Sequence, residues 1–322
     1  MSAGIDPGCV RLSLRSDSRR ISEVRVASDR PAVAQYLRGR EADDAVRLVP
    51  LLFALCGQAQ GRAAALALAA ARGIEYASQL DAAIQREAMR EHSWRWLLDL
   101  PVQLGELAMR EEFIAAAGWI GSGRRDELMA LLDDPRIEAL RRRLTEIEDA
   151  GDPAPRLLPA LDARASVDAW PRLDADFCRV PHWRGAAAET GAIARQQDGA
   201  GAAAPAFAAR WLARLEELRD WAAGSAGVGA GGTASAAPLG AGRGRALVET
   251  ARGLLMHEIA LDGERIADYF IVAPTEWNFH PQGPLAGWLV GRDANDRQAL
   301  EAFAARAVAA LDPCVRWELE WL

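Results

Sequence analysis

Residues 249–278 read ETARGLLMHEIALDGERIADYFIVAPTEWN. Two apolar-rich runs, Leu254 to Leu261 and Arg265 to Val272, flank Asp262-Gly263. That dipeptide suits the positive backbone angles of a tight hairpin turn, so the stretch predicts two antiparallel strands. Ala251-Arg252-Gly253 precedes the hairpin and Pro274-Thr275-Glu276-Trp277-Asn278 follows it. Arg252 is the residue here least easily explained by packing. The bland alternative is a surface salt bridge, which would stabilise little.

A second hairpin lies near the start of the chain. Val10 to Leu14 and Ile21 to Val26 alternate apolar and polar residues around Ser16, Asp17 and Ser18. Asp29 then precedes Arg30-Pro31, a helix-start pattern, and helical periodicity runs to Leu37 before Gly39. Asp43 to Ala71 predicts Ala/Leu-rich helix with a break at Cys56-Gly57, and Ser78 to Ala117 predicts helix kinked at Pro101. Arg125 to Glu148 (interrupted at Pro135), Phe207 to Ala222 with a charged outer face, and Asp293 to Leu311 complete the helices. The Gly/Ala/Ser-rich residues 224–244 predict a flexible loop. The expected fold is mainly α with small β-hairpins near each end, an α+β class, in a single domain spanning residues 1–322. The alternating βα pattern of a dinucleotide-binding fold is absent, and Gly240-Ala-Gly242-Arg-Gly244 follows no buried strand, so it does not read as a phosphate loop.

Composition narrows the functional classes. Of 322 residues, 38 are Lys or Arg and 45 are Asp or Glu, a net charge of −7. An acidic chain is a poor non-specific ligand for nucleic acid. The N-terminus lacks a basic region followed by an apolar core, and the most apolar stretch, Leu48 to Ala71, is broken by Pro50, Gly57, Gln58, Gln60, Gly61 and Arg62. The expectation is a cytoplasmic protein without membrane insertion. The four cysteines, Cys9, Cys56, Cys178 and Cys314, form no CxxC pair, so no zinc ribbon or thioredoxin-like motif is written here.

Four segments together resemble the large subunit of nickel-iron hydrogenases. Arg38-Gly39-Arg40 with Asp44-Ala45, leading to Leu55-Cys56-Gly57-Gln58-Ala59, looks like that family's GR…dA…RICGxC. Glu189-Thr190-Gly191-Ala192-Ile193-Ala194-Arg195 is similar to its E-x-G-x-L-A-R. The stretch from Glu249 to Asn278 resembles PRGxLxH…dG…vPTTWN, and Asp312-Pro313-Cys314 resembles the terminal DPCxxC. The order is that of the family, and the match is weakest over residues 100–180.

The resemblance implies a truncated large-subunit-like fold in which two CxxC pairs would hold nickel and iron through soft thiolates. Cys56 and Cys314 match the first cysteine of each pair, the terminal nickel ligands. The bridging positions hold Ala59 and Trp317, neither of which can supply a thiolate. Ala54 replaces the arginine before the first motif, Glu320 falls where a metal-binding histidine would, and the proton-relay acid would fall near Pro7. By this resemblance no nickel is expected, and hydrogen turnover is not. Arg252 and Thr275 match groups beside the iron's cyanide ligands, and Asp312 matches a nearby acid. A guanidinium is a strong donor to a metal-bound cyanide nitrogen.

This combination is similar to the HupK/HoxV-type branch of hydrogenase expression/formation proteins. It implies an accessory protein that transiently scaffolds or carries an Fe(CN)2(CO) unit. The implied partners are HypC-like maturation chaperones and the hydrogenase large-subunit precursor. Two alternatives stay open: a metal-free mimic of the large subunit that docks chaperones, and a divergent redox enzyme subunit. Cys9 and Cys178 match no motif and read as ordinary thiols. His257 reads as a hydrogen-bonded core histidine and His92 as a packing residue. Trp317 and Trp321 read either as core or as an anchor for a partner.

Overall fold

The computed structural model describes residues 7–322 apart from 18, 54, 148–155, 160–169, 197–205, 226 and 229–231. Strands β1 (Cys9–Asp17) and β2 (Arg20–Ser28) pair antiparallel, as their alternation predicts, and bury Val10, Leu12, Leu14, Ile21 and Val26 on one face. The helix expected after Asp29 is only a 3-10 turn, Val33–Leu37, whose ends lack side-chain caps. Helices α1 (Ala42–Leu52) and α2 (Gly57–Ala71) follow, separated at Cys56 as expected.

The expected helix from Ser78 is corrected at two points. Its first residues belong to strand β3 (Tyr76–Gln79), and helix α3 (Ala82–Trp94) starts after Asp81, whose side chain accepts from the amides of Ala83 and Ile84. The helix then widens into a π-helical turn, Arg95–Asp99, before α4 (Leu100–Gln103). Pro101 has no N–H for the Leu97 carbonyl, four residues back. Instead Leu100 bonds back to Arg95, and the amide of Met109 reaches the Leu97 carbonyl at 2.7 Å. The real break therefore comes after α4, before α5 (Arg110–Ser122). Helices α6 (Arg125–Leu132) and α7 (Pro135–Thr145) meet at Pro135, as the sequence suggests.

After the short helices α8 (Ala175–Arg179) and α9 (Ala192–Arg195), helix α10 (Ala206–Ala222) occupies its expected span. Only part of its charge forms the expected outer face, at Glu216, Arg219 and Asp220. Arg210, Arg214 and Glu217 are buried, because they face charged or carbonyl partners on other elements. Arg210 makes a two-pronged bond to Glu189 at 2.7 and 2.6 Å, and Arg195 does the same to Glu217 at 2.6 and 2.9 Å. Helical periodicity cannot distinguish such residues from a solvated stripe.

The expected loop at 224–244 is also corrected. It contains strand β4 (Ala234–Pro238) and the first residues of β5 (Arg243–Thr250). With β6 (Gly253–Asp262) and β7 (Arg265–Val272) these form a five-stranded sheet in the order β3-β4-β5-β6-β7. The Asp262-Gly263 hairpin is thus the edge of a larger sheet. Small residues serve close approach here. A Cβ on Gly244 would lie 2.1 Å from the amide nitrogen of Ala71 and 2.5 Å from the Ala67 carbonyl, so the alanine-rich α2 lies directly on β5.

The chain ends with α11 (Pro274–Asn278), α12 (Pro284–Leu289), α13 (Arg297–Leu311) and β8 (Arg316–Trp321). Strand β8, missed in the sequence, pairs parallel to β1 in a sheet of order β2-β1-β8. Trp317 and Trp321 pack partly buried against the main core, and the indole of Trp321 donates to Glu301 at 3.0 Å. Both thus have intramolecular roles. Glu320 accepts from Ser13 at 2.6 Å across the same sheet. No helix among the described residues is long and apolar enough to cross a membrane.

His257 sits in β6 with no solvent exposure, bonded to Tyr269 and to Gln60, both at 2.8 Å. Burial brings its pKa down from 6.5 to about 3, so it is neutral in the folded protein. The unfolded chain takes up this proton below about pH 6.5, so stability should fall as pH drops from 6.5 towards 3. The slope from this residue should approach about 1.4 kcal/mol per pH unit. Urea titrations over that range should give a shallower acid limb for His257→Gln. Independently, Gly244→Ala forces β5 and α2 apart and should cost about 3 kcal/mol, read as a lower urea midpoint.

Candidate functional site

Cys56 is the residue before helix α2, and Cys314 follows α13. Each sulfur has a polar neighbour. Gln60, one turn into α2, donates its amide Nε2 to Cys56 Sγ at 3.7 Å. Its Oε1 then faces His257 Nε2, which fixes that nitrogen as the protonated one. Thr275, in α11, places Oγ1 3.1 Å from Cys314 Sγ and accepts from the Cys314 amide at 3.3 Å.

The fold brings the two cysteines into one electrostatic environment. Burial, then the neighbouring Cys314 sulfur and the Glu87 carboxylate, pushes the Cys56 thiol up to about 12, against the opposing pull of Arg252 and the Gln60 bond. A cysteine at a helix N-terminus ordinarily has a depressed pKa because free amides favour thiolate. Here Glu87 takes those amides, accepting from Gln58 and Ala59 at 2.8 and 3.1 Å. Cys56 is therefore a thiol at neutral pH, and any metal that binds it must displace a proton.

Arg252 lies at the tip of the β5–β6 hairpin, and this tip is buried. Gly253 has φ +124°, and a Cβ there would sit 2.4 Å from the Thr190 side chain, so only glycine permits the turn. Arg252 bonds Asp312 at 3.2 Å and Glu91 at 3.0 Å. The surface-salt-bridge reading is overturned, since the Arg252 side chain is 4% exposed. Burial opposes its charge, but Asp312, Glu91 and both cysteine sulfurs outweigh that and hold it firmly protonated. Asp312 occupies the left-handed region at φ 56° and caps α13. Burial would raise its pKa, but Arg252, Arg95 and Arg214 keep it well below the usual carboxylate range. Arg95, from the π-helical turn, reaches Asp312 at 2.6 Å.

The second motif acts as mortar. Thr190 accepts from the Leu254 amide at 2.9 Å, and its own amide donates to Asn278 at 2.9 Å. Asn278 also donates to the carbonyls of Arg252 and Leu311 at 3.4 and 3.3 Å. One amide side chain thus ties the Glu189 segment, the Arg252 turn and the approach to Cys314.

The structure therefore assembles all five candidate residues, Cys56, Arg252, Thr275, Asp312 and Cys314, around one place. Sequence reasoning missed Gln60, Glu87, Glu91, Arg95, Arg30 and Glu276. Glu91 and Gln60 sit on helices at unremarkable spacing, and Arg30 follows β2 in a stretch that reads only as a helix start. A cavity of about 540 Å3 reaches the site and is lined by Leu55, Glu91, Arg95, Asp312, Cys314 and Trp317, among others. Among the described residues no group of three or more His, Cys, Asp or Glu is placed to hold a metal. Cys9 is buried in β1, and Cys178 is half-buried in α8 with its thiol raised by burial to about 12. His92 is buried against Glu217 at 2.7 Å, as the packing reading expects.

Removing the Glu87 charge should release the Cys56 thiol. Glu87→Gln is expected to raise the alkylation rate of Cys56 at pH 8 by roughly tenfold, about one pKa unit. Peptide mapping after timed iodoacetamide exposure measures it, and an unchanged rate would remove Glu87 from the account.

The nickel-dependent hydrogenase family pattern matches residues 209–316. The fold is similar to that of the Ni-Fe-Se hydrogenase from D. vulgaris Hildenborough in its reduced state, with a TM-score of 0.67 at 14% identity, covering 93% of this chain and 94% of that one. Over its length the chain is 34% identical to the hydrogenase expression/formation protein HoxV of Cupriavidus necator, covering 92% of each. It is 30% identical to HupK of Rhizobium leguminosarum bv. viciae, covering 92% of each, and 30% identical to HupK of Azotobacter vinelandii, covering 97% of each. The chain belongs to the HoxV/HupK family of hydrogenase expression/formation proteins, built on a hydrogenase large-subunit-like fold.

Proposed function

We propose that this protein is a non-catalytic scaffold or carrier for an Fe(CN)2(CO) unit on its way to the hydrogenase large-subunit precursor. The observation that carries this reading is the grouping of two cysteine sulfurs with a buried, fully charged Arg252 and the Thr275 hydroxyl. The donor set fits the cargo. Thiolates are soft ligands for iron, and a guanidinium donates well to cyanide nitrogen. Cys56 and Cys314 would hold the iron, Cys56 losing its proton as it does so. Arg252 would bond cyanide, while Asp312 and Glu91 keep its guanidinium in place. Thr275 would keep Cys314 oriented through the bond it already makes.

Two features favour a carrier over an enzyme. The bridging positions carry Ala59 and Trp317, so a four-thiolate nickel-iron centre lacks half its ligands. A two-sulfur grip is also easier to leave than a four-sulfur one, which suits delivery. HypC-like chaperones and the large-subunit precursor would be donor and acceptor, and the relatives' names as hydrogenase expression/formation proteins support a place in that process. The metal-free docking reading draws on one observation, the lack of any group of three or more metal-ligating side chains among the described residues.

Infrared spectroscopy separates the readings. Protein purified anaerobically from cells with a complete maturation pathway should show cyanide and carbon monoxide bands. Cys56→Ala and Cys314→Ala should each lose most of that intensity and reduce hydrogenase activity in the cell by roughly tenfold or more, the effect of losing a metal ligand or its close support. Wild-type protein without bands, together with both variants supporting normal activity, would leave only docking.

A further inference from the structure

Arg252 is not the only guanidinium at the cysteines. Arg30 interacts electrostatically with the sulfurs of both Cys314 and Cys56. It is placed there by Glu276, whose two oxygens accept from Arg30 Nη1 at 2.9 and 3.1 Å. Glu276 is itself fixed, since its Oε2 accepts from the Ala273 amide at 3.0 Å at the start of α11. The next residue back is Thr275, which contacts Cys314. Arg30 is therefore tied to the same helical turn that orients one of the sulfurs.

The pairing with Glu276 leaves part of Arg30 unused. Its side chain is 14% exposed, and its Nε–H is buried with no hydrogen-bond partner. Leaving a buried charged donor unsatisfied is costly, and such groups in a folded chain call for an explanation. Arg252, by comparison, uses Nε for Asp312 and Nη2 for Glu91.

We propose that Arg30 is a second anion-binding residue of the cysteine site, its Nε–H donating to an anionic ligand held beside Cys314. The inference rests on the scaffold reading for the identity of that ligand, one cyanide of the iron unit. It does not rest on that reading for the binding of small anions. With Arg30 and Arg252 each serving one cyanide, the site would select a dicyano unit over bare iron, which offers no acceptor to either guanidinium.

The test uses the full-length protein and two alkylating probes of similar size, anionic iodoacetate and neutral iodoacetamide. Cys314 lines the 540 Å3 cavity, through which both can reach it. The ratio of their rates at Cys314, read by peptide mapping, reports local anion recognition apart from general reactivity. Arg30→Met should lower that ratio about tenfold, as expected for the loss of one charge-assisted hydrogen bond, and Arg30→Lys should recover part of it. The double variant Arg30→Met/Glu276→Gln leaves no buried carboxylate without its partner, and it should show the same loss with a near-native melting curve. In protein loaded by the pathway, Arg30→Met should also shift a cyanide band while the carbon monoxide band moves less. An unchanged ratio in both Arg30→Met variants, with a reduced one in Arg252→Met, would overturn the role of Arg30 and leave the scaffold reading standing. Absence of bands in the wild type would overturn the scaffold reading, and the alkylation ratio would still decide whether Arg30 binds anions.

Discussion

Asp312 accepts from Arg252 at 3.2 Å and from Arg95 at 2.6 Å in an interior almost closed to solvent. This carboxylate joins three parts of the chain that are remote in sequence: the tip of the β5–β6 hairpin, the π-helical turn after α3 and the C-terminus of α13. Glu91 closes the cluster by taking the other side of Arg252. Removing any one member would leave a buried charge without its partner, and that is more costly than losing an exposed pair. Buried ion pairs contribute little net stability compared with apolar packing, but they demand one arrangement. Here the arrangement they demand fixes where Cys314 leaves its helix and which way Arg252 points.

The same logic extends through the second charged layer. Arg195 joins Glu217 and Glu249, Arg210 grips Glu189, and Arg214 donates to the Ala310 carbonyl at 2.6 Å. Burial brings the Arg214 pKa down to about 10, partly offset by Asp312 and made worse by Arg95 and Arg252. Helix α10 therefore carries a row of charges inward and works as the backing plate for the site. The layer holds the elements that carry the site, as the Arg214 bond to the end of α13 shows.

These networks also explain what could be read from the sequence. Cys56, Arg252, Thr275, Asp312 and Cys314 were legible because they sit in short segments whose order resembles a known family. The two hairpins and the long helices were legible from periodicity and turn chemistry. Strand β8 was not, although Arg316-Trp317-Glu318-Leu319-Glu320-Trp321 alternates polar and apolar residues throughout, because its partner β1 is at the other end of the chain and no hairpin turn announces the pairing. Strand β4 was hidden in small residues whose smallness serves contact with α2 rather than flexibility. Arg210, Arg214 and Glu217 read as a solvated face because the period of a helix is blind to what lies opposite. Arg30, Gln60 and Glu91 carry no local signal. They become site residues only when the fold brings them to the cysteines.

The protonation of Cys56 bears on how a carrier with this site would work. A thiol held near 12 is a poor metal ligand until its proton is taken away. Loading would then require an incoming iron centre electrophilic enough to displace that proton, and release would be assisted by its return. Arg252 eases thiolate formation, whereas Glu87 and the second sulfur resist it. A resident catalytic centre gains from ligands that stay deprotonated, as four thiolates around two metals must. A transit site gains from a ligand that readily takes its proton back. The opposed charges around Cys56, positive from Arg252 and negative from Glu87, set that balance with groups that never need to touch the metal.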